Sequence, residues 1–421
     1  MPGIKPFKAY FYNKNKIKDF TEVVTPPYDV ISQELQTELQ NLSPYNFTHI
    51  DLAKDMPGDN LENNKYIRAK KIYDGWIEKK ILIQDEKPAI YFYKQEYKVM
   101  GEKHSRLGFV ALLEMQEDEE SKVHPHENTH DDAVDDRFKL TKTLNSSLSS
   151  IFVCYSDRQR KVEKIFNKHI LSNEPMIDIK DADGVRHKMW NFTDPDIIAE
   201  IQDSIVDQNL FIADGHHRFK MANELRKLKL SETPNSNGKE PFNFVMTYFT
   251  NLDSKDLQIF PMHRIVKKIP KKMDFLEEYF RIDKIKTINE LQILLAKAGQ
   301  NEHAFGLYTR EGIKLLRLKN KLLIDEFVKK GSKELKSLDA NILKCFIFDK
   351  VGVKSDDIAY TKNLNDLTSE VDNSNAEAGF IMNAVKIAQL KAIALNGEKM
   401  PPKTTYFYPK VLSGMTVYSL E

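Results

Sequence analysis

The run Leu210-Phe211-Ile212-Ala213-Asp214-Gly215-His216-His217-Arg218 changes character at its middle. Leu210 to Ala213 are apolar and read as a buried strand. Asp214-Gly215 is a turn pair. After it, Phe219, Met221, Ala222, Leu225 and Leu228 recur near helical spacing. The sequence therefore predicts strand, tight turn and helix, with two histidines and an arginine on the helix's first turn.

A helix N-terminus offers unpaired N–H groups and partial positive charge, which suits it to a phosphate. Gly215 lets backbone approach a ligand closely, and Arg218 supplies a fork matched to phosphate oxygens. Asp214 has the opposite sign, useful as a base or as a ligand for phosphate-bound magnesium. Asp-Gly alone is commonplace, and a polar helix start needs no function. The His-His-Arg cluster at such a turn is what favours an anion site, with nucleotide phosphates as the expected ligand.

Working outward, a helix is expected over 63–79, where Ile67, Ile72, Tyr73, Trp76 and Ile77 share a face. Strands are expected at 88–99 and 106–115, joined as a hairpin, with Glu117–Glu120 a solvated loop. A helix at 131–144, a strand at 150–155, a helix at 157–171, a strand at 185–192 and a helix at 194–206 lead into the opening motif. Ser231–Pro241 reads as a loop before a strand at 242–249. Past Pro270 the elements become shorter and lysine-rich, which predicts a boundary within about 15 residues of there. Alternating strands and helices without repeats predict an α+β (mixed α/β) fold with helices packed on sheet.

The bulk composition narrows function. Across 421 residues, 63 basic residues against 62 acidic ones leave a net charge of +1, which argues against a general nucleic-acid binder. Two cysteines, Cys154 and Cys345, among apolar neighbours read as thiols in a reducing compartment. No run of about 18 apolar residues occurs, and Met1–Tyr12 lacks a signal-peptide core, so a cytoplasmic protein without a membrane partner is expected.

Three other segments carry chemistry. His124-Pro125-His126-Glu127-Asn128-Thr129-His130, followed by Asp136-Arg137, formally contains His-Glu-x-x-His. That zinc signature needs both histidines on one helical face, whereas Pro125 and Asn128-Thr129 favour a loop. Phosphate binding, zinc and a solvated loop stay open for the cluster. Thr25-Pro26-Pro27-Tyr28-Asp29-Val30-Ile31 cannot be helical across its prolines and reads as an ordered extended loop. Met400 to Lys410 is dense in aromatics and hydroxyls, with Tyr406–Tyr408 a closing strand and Lys403 a candidate to face the site. No Walker A loop, dinucleotide glycine fingerprint, nucleophile elbow or kinase catalytic loop occurs.

Together these segments resemble the bacterial and archaeal family known as domain of unknown function 1015. The stretches that carry the resemblance include Pro26–Ile31, His126–Thr129 with Asp136-Arg137, Gly184–Trp190 and Ile212–Phe219. Pro261-Met262-His263-Arg264 and Met400–Lys410 complete it. Asp-Gly-His-His-Arg is in turn similar to a motif in free serine kinases of the ParB and sulfiredoxin superfamily. The resemblance implies a ParB/sulfiredoxin-like nucleotide-binding core over 1–270, with a C-terminal α/β region over 271–421 closing on it. It implies a small-molecule kinase that uses ATP or ADP with Mg²⁺ and phosphorylates a hydroxyl acceptor, L-serine first. Gly215, His216, Arg218, His126, Thr129 and Arg137 would then hold phosphate. Glu127, Asp214 and His217 would be catalytic, with Glu127 the base and Asp214 the metal ligand. Tyr28, Asp29 and Lys403 would meet the substrate. The partners implied are a nucleotide and a small amino-acid-like molecule, with a homodimer left open. A ParB-like nucleotide-binding regulator and a metal-dependent hydrolase are the competing readings.

Overall fold

A computed structural model describes residues 3–116, 121–170 and 173–421. The expected loop at Glu117–Glu120 lies outside the described residues, as does Leu171 at the end of one expected helix. By its contacts the chain divides into two compact units. The first comprises Met1–His124, Thr129–Leu257 and Pro409–Glu421; the second comprises Pro125–Asn128 and Gln258–Tyr408. The fold is mixed α+β.

In the first unit nine strands form one sheet: β1 (Ile4–Lys5), β2 (Ile90–Val99), β3 (Glu102–Glu114), β4 (Val123–His124), β5 (Ile151–Tyr155), β6 (Ile177–Lys180), β7 (Arg186–Phe192), β8 (Leu210–Asp214) and β9 (Phe244–Asn251). The order is β4-β8-β5-β9-β3-β2-β7-β6, and β1 also pairs with β3. β4–β8 and β5–β9 are parallel; the remaining pairs are antiparallel. Alternate residues of a strand point to opposite faces. Phe92, Phe109, Ile151 and Phe249 accordingly share one apolar core with Phe166 of the helix Lys161–Ile170 and Ile201 of the helix Pro195–Ile205. The intervening residues are different in kind. Arg106, fully buried, lies 4.8 Å from the Phe152 ring centroid and 5.6 Å from that of Tyr248.

The C-terminal segment returns to this unit. Arg106 donates to the Pro409 carbonyl, Gln95 to the Lys410 carbonyl (2.8 Å), and Tyr418–Ser419 pair with Ser146–Ser147.

The second unit holds a six-stranded antiparallel sheet, in the order Phe280–Ile285, Gly312–Leu318, Ala304–Thr309, Ala378–Ile381, His263–Val266, Ile358–Thr361. Phe280, Phe305, Phe380 and Phe346 build one core, and Leu291, Leu315, Leu367 and Ile381 another. Gln258–Pro261 and Thr405–Tyr408 form a separate two-stranded ribbon.

Local departures from expectation have local causes. Tyr28–Val30 winds into one 3₁₀ turn, because the proline restriction ends at Pro27, whose own backbone stays extended at ψ 144°. The helix expected from 157 begins at Lys161, since Arg160 sits at φ 52° and Asp157–Arg160 form a turn closed by Arg160 N–H to the Asp157 carbonyl. The helix expected over 63–79 runs Lys65–Glu78, capped by Asn64, and buries Ala69, Tyr73 and Trp76. Ile67 is 42 % exposed, nine residues and hence half a turn away from Trp76. The helix after Gly215 runs to Glu232, shortening the expected 231–241 loop, and β9 begins two residues late because Pro241–Asn243 form a 3₁₀ turn.

Candidate functional site

The ladder between β8 and β5 shifts register between Ile212 and Asp214, a device that re-aims the side chain at a strand's end. Gly215 follows at φ 85°, ψ 29°, a left-handed conformation that glycine adopts without strain. It caps the N-terminus of the helix His216–Glu232 without any side-chain oxygen. A Cβ there would stand 3.1 Å from the Arg218 guanidinium.

Arg218 is 7 % exposed. Its Nη1 donates to the Ser150 carbonyl and its Nη2 to Asp214 Oδ2 at 3.2 Å, while Nε is buried without a hydrogen-bond partner. Asp214 Oδ1 accepts from Lys410 Nζ at 2.9 Å. Burial alone would raise the Asp214 carboxyl; Lys410 and Arg218, with His216 behind them, outweigh it and hold the group well below the usual carboxylate range. Asp214 therefore stays ionised and is a weak proton acceptor.

A second cluster in the same unit gathers Tyr28, Asp51, Asp136 and Arg137. Arg137 Nη1 donates to the Asp51 carbonyl (2.7 Å) and carboxylate (3.0 Å), and Nε to Asp136 Oδ2 (3.0 Å). Its guanidinium lies 4.1 Å from the Tyr28 ring centroid. So committed, Arg137 orders the carboxylates and the ring around it. Asp51 is 3 % exposed; burial raises its carboxyl against the pull of Arg137 and Arg218. Burial pushes the Tyr28 phenol up to about 12, so it remains a donor. Asp29 is exposed beside it. Asp51, Arg137 and Arg218 all line one cavity of about 30 Å³, room for about one water.

The histidine-rich segment is shared between the units. His130 donates its backbone N–H to His217 Nε2 at 3.0 Å, their rings stacked with centroids 6.0 Å apart. His124 pairs with Asn209 at 2.8 Å, and Thr129 is half-buried. In the second unit, the buried His126 accepts at its backbone carbonyl from Met400 N–H (2.7 Å). Glu127 Oε1 accepts from Lys403 N–H (2.8 Å). Among the described residues no three His, Cys, Asp or Glu side chains group to hold a metal.

Sequence reading singled out neither Asp51 nor Lys410. Lys410 ends the segment Met400–Lys410, but nothing local distinguishes it from Lys403. Asp51 follows His49-Ile50 with no motif at all.

The fold and site together define a mixed α+β protein with a cation-lined strand–glycine–helix turn. The chain belongs to the family described as "Protein of unknown function (DUF1015)", whose pattern matches residues 4–341. No curated protein matches the sequence. Among solved structures, a free serine kinase in complex with AMP is similar at 13 % identity and TM-score 0.33, over 68 % of this chain and 83 % of that one. A conserved hypothetical protein from Pyrococcus furiosus is 12 % identical, with TM-score 0.33, over 69 % and 89 % of the two chains. A C-terminally truncated SbnI from Staphylococcus aureus is 8 % identical, with TM-score 0.37, over 72 % and 85 %. No helix among the described residues is long and apolar enough to cross a membrane.

Proposed function

We propose that the protein is a small-molecule kinase that moves a phosphoryl group from ATP or ADP to a small hydroxyl acceptor, free L-serine first. The observation that carries this reading is Arg218. Its guanidinium is buried on the first turn of a long helix, beside a turn that a Cβ would crowd, and its Nε lacks a partner. An anion with several acceptor oxygens fits that environment. The motif similarity to free serine kinases supports the choice of phosphate; the solved structures, at their TM-scores, carry no part of the argument.

Phosphoryl transfer depends chiefly on positioning and charge neutralisation. Gly215, His216 and Arg218 receive the phosphate oxygens, supported by Thr129 and Arg137, and His217 is a catalytic group. Asp214, kept ionised by two cations, serves as an electrostatic anchor rather than a base. Asp214 would be the protein's carboxylate toward Mg²⁺, and the chemistry the ion would supply is to offset phosphate charge. Glu127 takes the acceptor's hydroxyl proton as the new O–P bond forms and the bond to the leaving phosphate breaks. Tyr28, Asp29 and Lys403 meet the acceptor.

The test incubates the purified chain with ATP or ADP, magnesium and L-serine and measures O-phosphoserine by mass spectrometry. Glu127→Gln is expected to lose about 10²–10⁴-fold in turnover at every magnesium concentration, the scale of a lost general base. Asp214→Asn is expected to recover partly as magnesium rises. Nucleotide binding without phosphoserine would sink the kinase reading and favour the regulator.

A further inference from the structure

Arg264 closes the Pro261–Arg264 block, which the proposed reaction leaves unused. It is 5 % exposed and lines a cavity of about 530 Å³ built wholly within the second unit. Small-molecule sites typically span about 300–1,000 Å³. Nη1 of Arg264 donates to the Met262 carbonyl, and the guanidinium lies 5.3 Å from the Tyr360 ring centroid. Among the described residues no carboxylate pairs with it, and burial pushes it down to about 10. A buried charge without a counter-ion is costly unless a ligand supplies one.

A second donor stands in the same wall. Asn383 Nδ2 is buried and has no hydrogen-bond partner. Its backbone is fixed from the preceding residue, where Met382 N–H donates to His263 Nδ1 at 3.1 Å. Burial holds the His263 imidazole down at about 4, so that nitrogen stays an acceptor at neutral pH. On the other side Gly299 leaves no slack, because a Cβ there would stand 2.4 Å from Asn383 Nδ2. The cavity walls otherwise balance in charge: Arg264, Lys321 and Lys386 against Glu302, Glu334 and Asp339. Asp339 is engaged with His303 at 2.8 Å and Glu302 lies 4.0 Å from Arg317, which leaves Glu334 as the first candidate for a cationic ligand group.

We propose that this cavity binds a small zwitterion of the α-amino-acid class, its carboxylate on Arg264 and Asn383 and its ammonium toward the acidic wall. A doubly charged phosphate suits the site less, because the same acids would oppose it. The inference goes beyond phosphotransfer, since every residue it uses belongs to the second unit.

The test screens the common L-amino acids against the full chain by saturation-transfer NMR, then titrates the strongest binder calorimetrically. Its carboxamide is expected to bind about tenfold weaker or worse. Arg264→Gln and Gly299→Ala should each weaken the amino acid by about tenfold or more, while Arg218→Gln leaves it unchanged. Gly299 sits at φ −62°, so alanine there adds no backbone strain, and the nearest atoms it meets are those of the Asn383 carboxamide. That variant decides the question if Arg264→Gln melts. The inference is overturned if no amino acid binds more tightly than about 10 mM, or if the carboxamide binds equally well. It is also overturned if inorganic phosphate competes through Arg264, or if Arg218→Gln alone removes binding.

Discussion

Arg218 does with one planar group what an ammonium cannot. Its Nη1 and Nη2 reach the Ser150 carbonyl and Asp214 at once and leave Nε for a third acceptor. A lysine at 218 keeps the charge but offers one point of contact. Arg218→Lys is therefore expected to weaken ATP and ADP binding by about 1.5–3 kcal/mol, the scale of a hydrogen bond to a charged group. Calorimetric titration measures it, and unchanged affinity for both nucleotides would remove Arg218 from the site. The Asp-Gly-His-His-Arg residues were legible because their motif is contiguous and ends a strand. Asp51 and Lys410 were not, because each meets its partner, Arg137 or Asp214, across a sequence separation of 86 or 196 residues.

Secondary elements follow the sequence wherever a period is unbroken. The hairpin of β2 and β3 and the helix Asp131–Leu144 fall where apolar spacing puts them. Errors collect at ends, where one residue in an unusual conformation decides: Arg160 at φ 52° delays a helix, and a 3₁₀ turn delays β9. The strand His263–Val266 carries the element-scale prediction. His263 is 3 % exposed, and burial, with Arg264 beside it, holds its folded pKa at about 4, below the ordinary imidazole value of about 6.5. Between those values the unfolded chain binds the proton and the folded chain does not, so stability rises with pH. Stability due to this residue is thus fully present above about pH 6.5, is lost as pH falls toward 4, and then levels off. The full difference is about 3 kcal/mol at 1.36 kcal/mol per unit. His263→Asn keeps an acceptor for the Met382 N–H and removes the titration. Urea melts across that range should show the variant's stability falling less steeply than wild type; parallel slopes would assign the loss to other groups.

At the scale of the molecule, chain order and spatial unit part company. The composition changes near residue 270, and the units divide at Leu257/Gln258, within about 15 residues of it, but 409–421 return to the first. Beside the Lys410–Asp214 pair and the buried Met415, Val417 and Tyr418 side chains, the 13-residue tail is anchored through backbone groups, which composition does not reveal. The Pro409 and Lys410 carbonyls accept from Arg106 and Gln95, and Val417 exchanges both bonds with Tyr10. Removing the tail would take the Pro409 acceptor from Arg106, and losing one hydrogen bond to a charged group costs about 1.5–3 kcal/mol. It would also strip Lys410 from Asp214 and the Tyr418–Ser419 strand from Ser146–Ser147. A chain ending at Tyr408 is accordingly expected to melt well below the full chain, with faster amide exchange in β2 and β3 than in the six-stranded sheet. Lys410→Gln separates the two contributions. It keeps every backbone anchor, so its exchange pattern should match wild type while the Asp214 carboxyl titrates closer to the ordinary range. If the truncated chain exchanged like the full one, the tail would be an ornament on the first unit and not a part of its core.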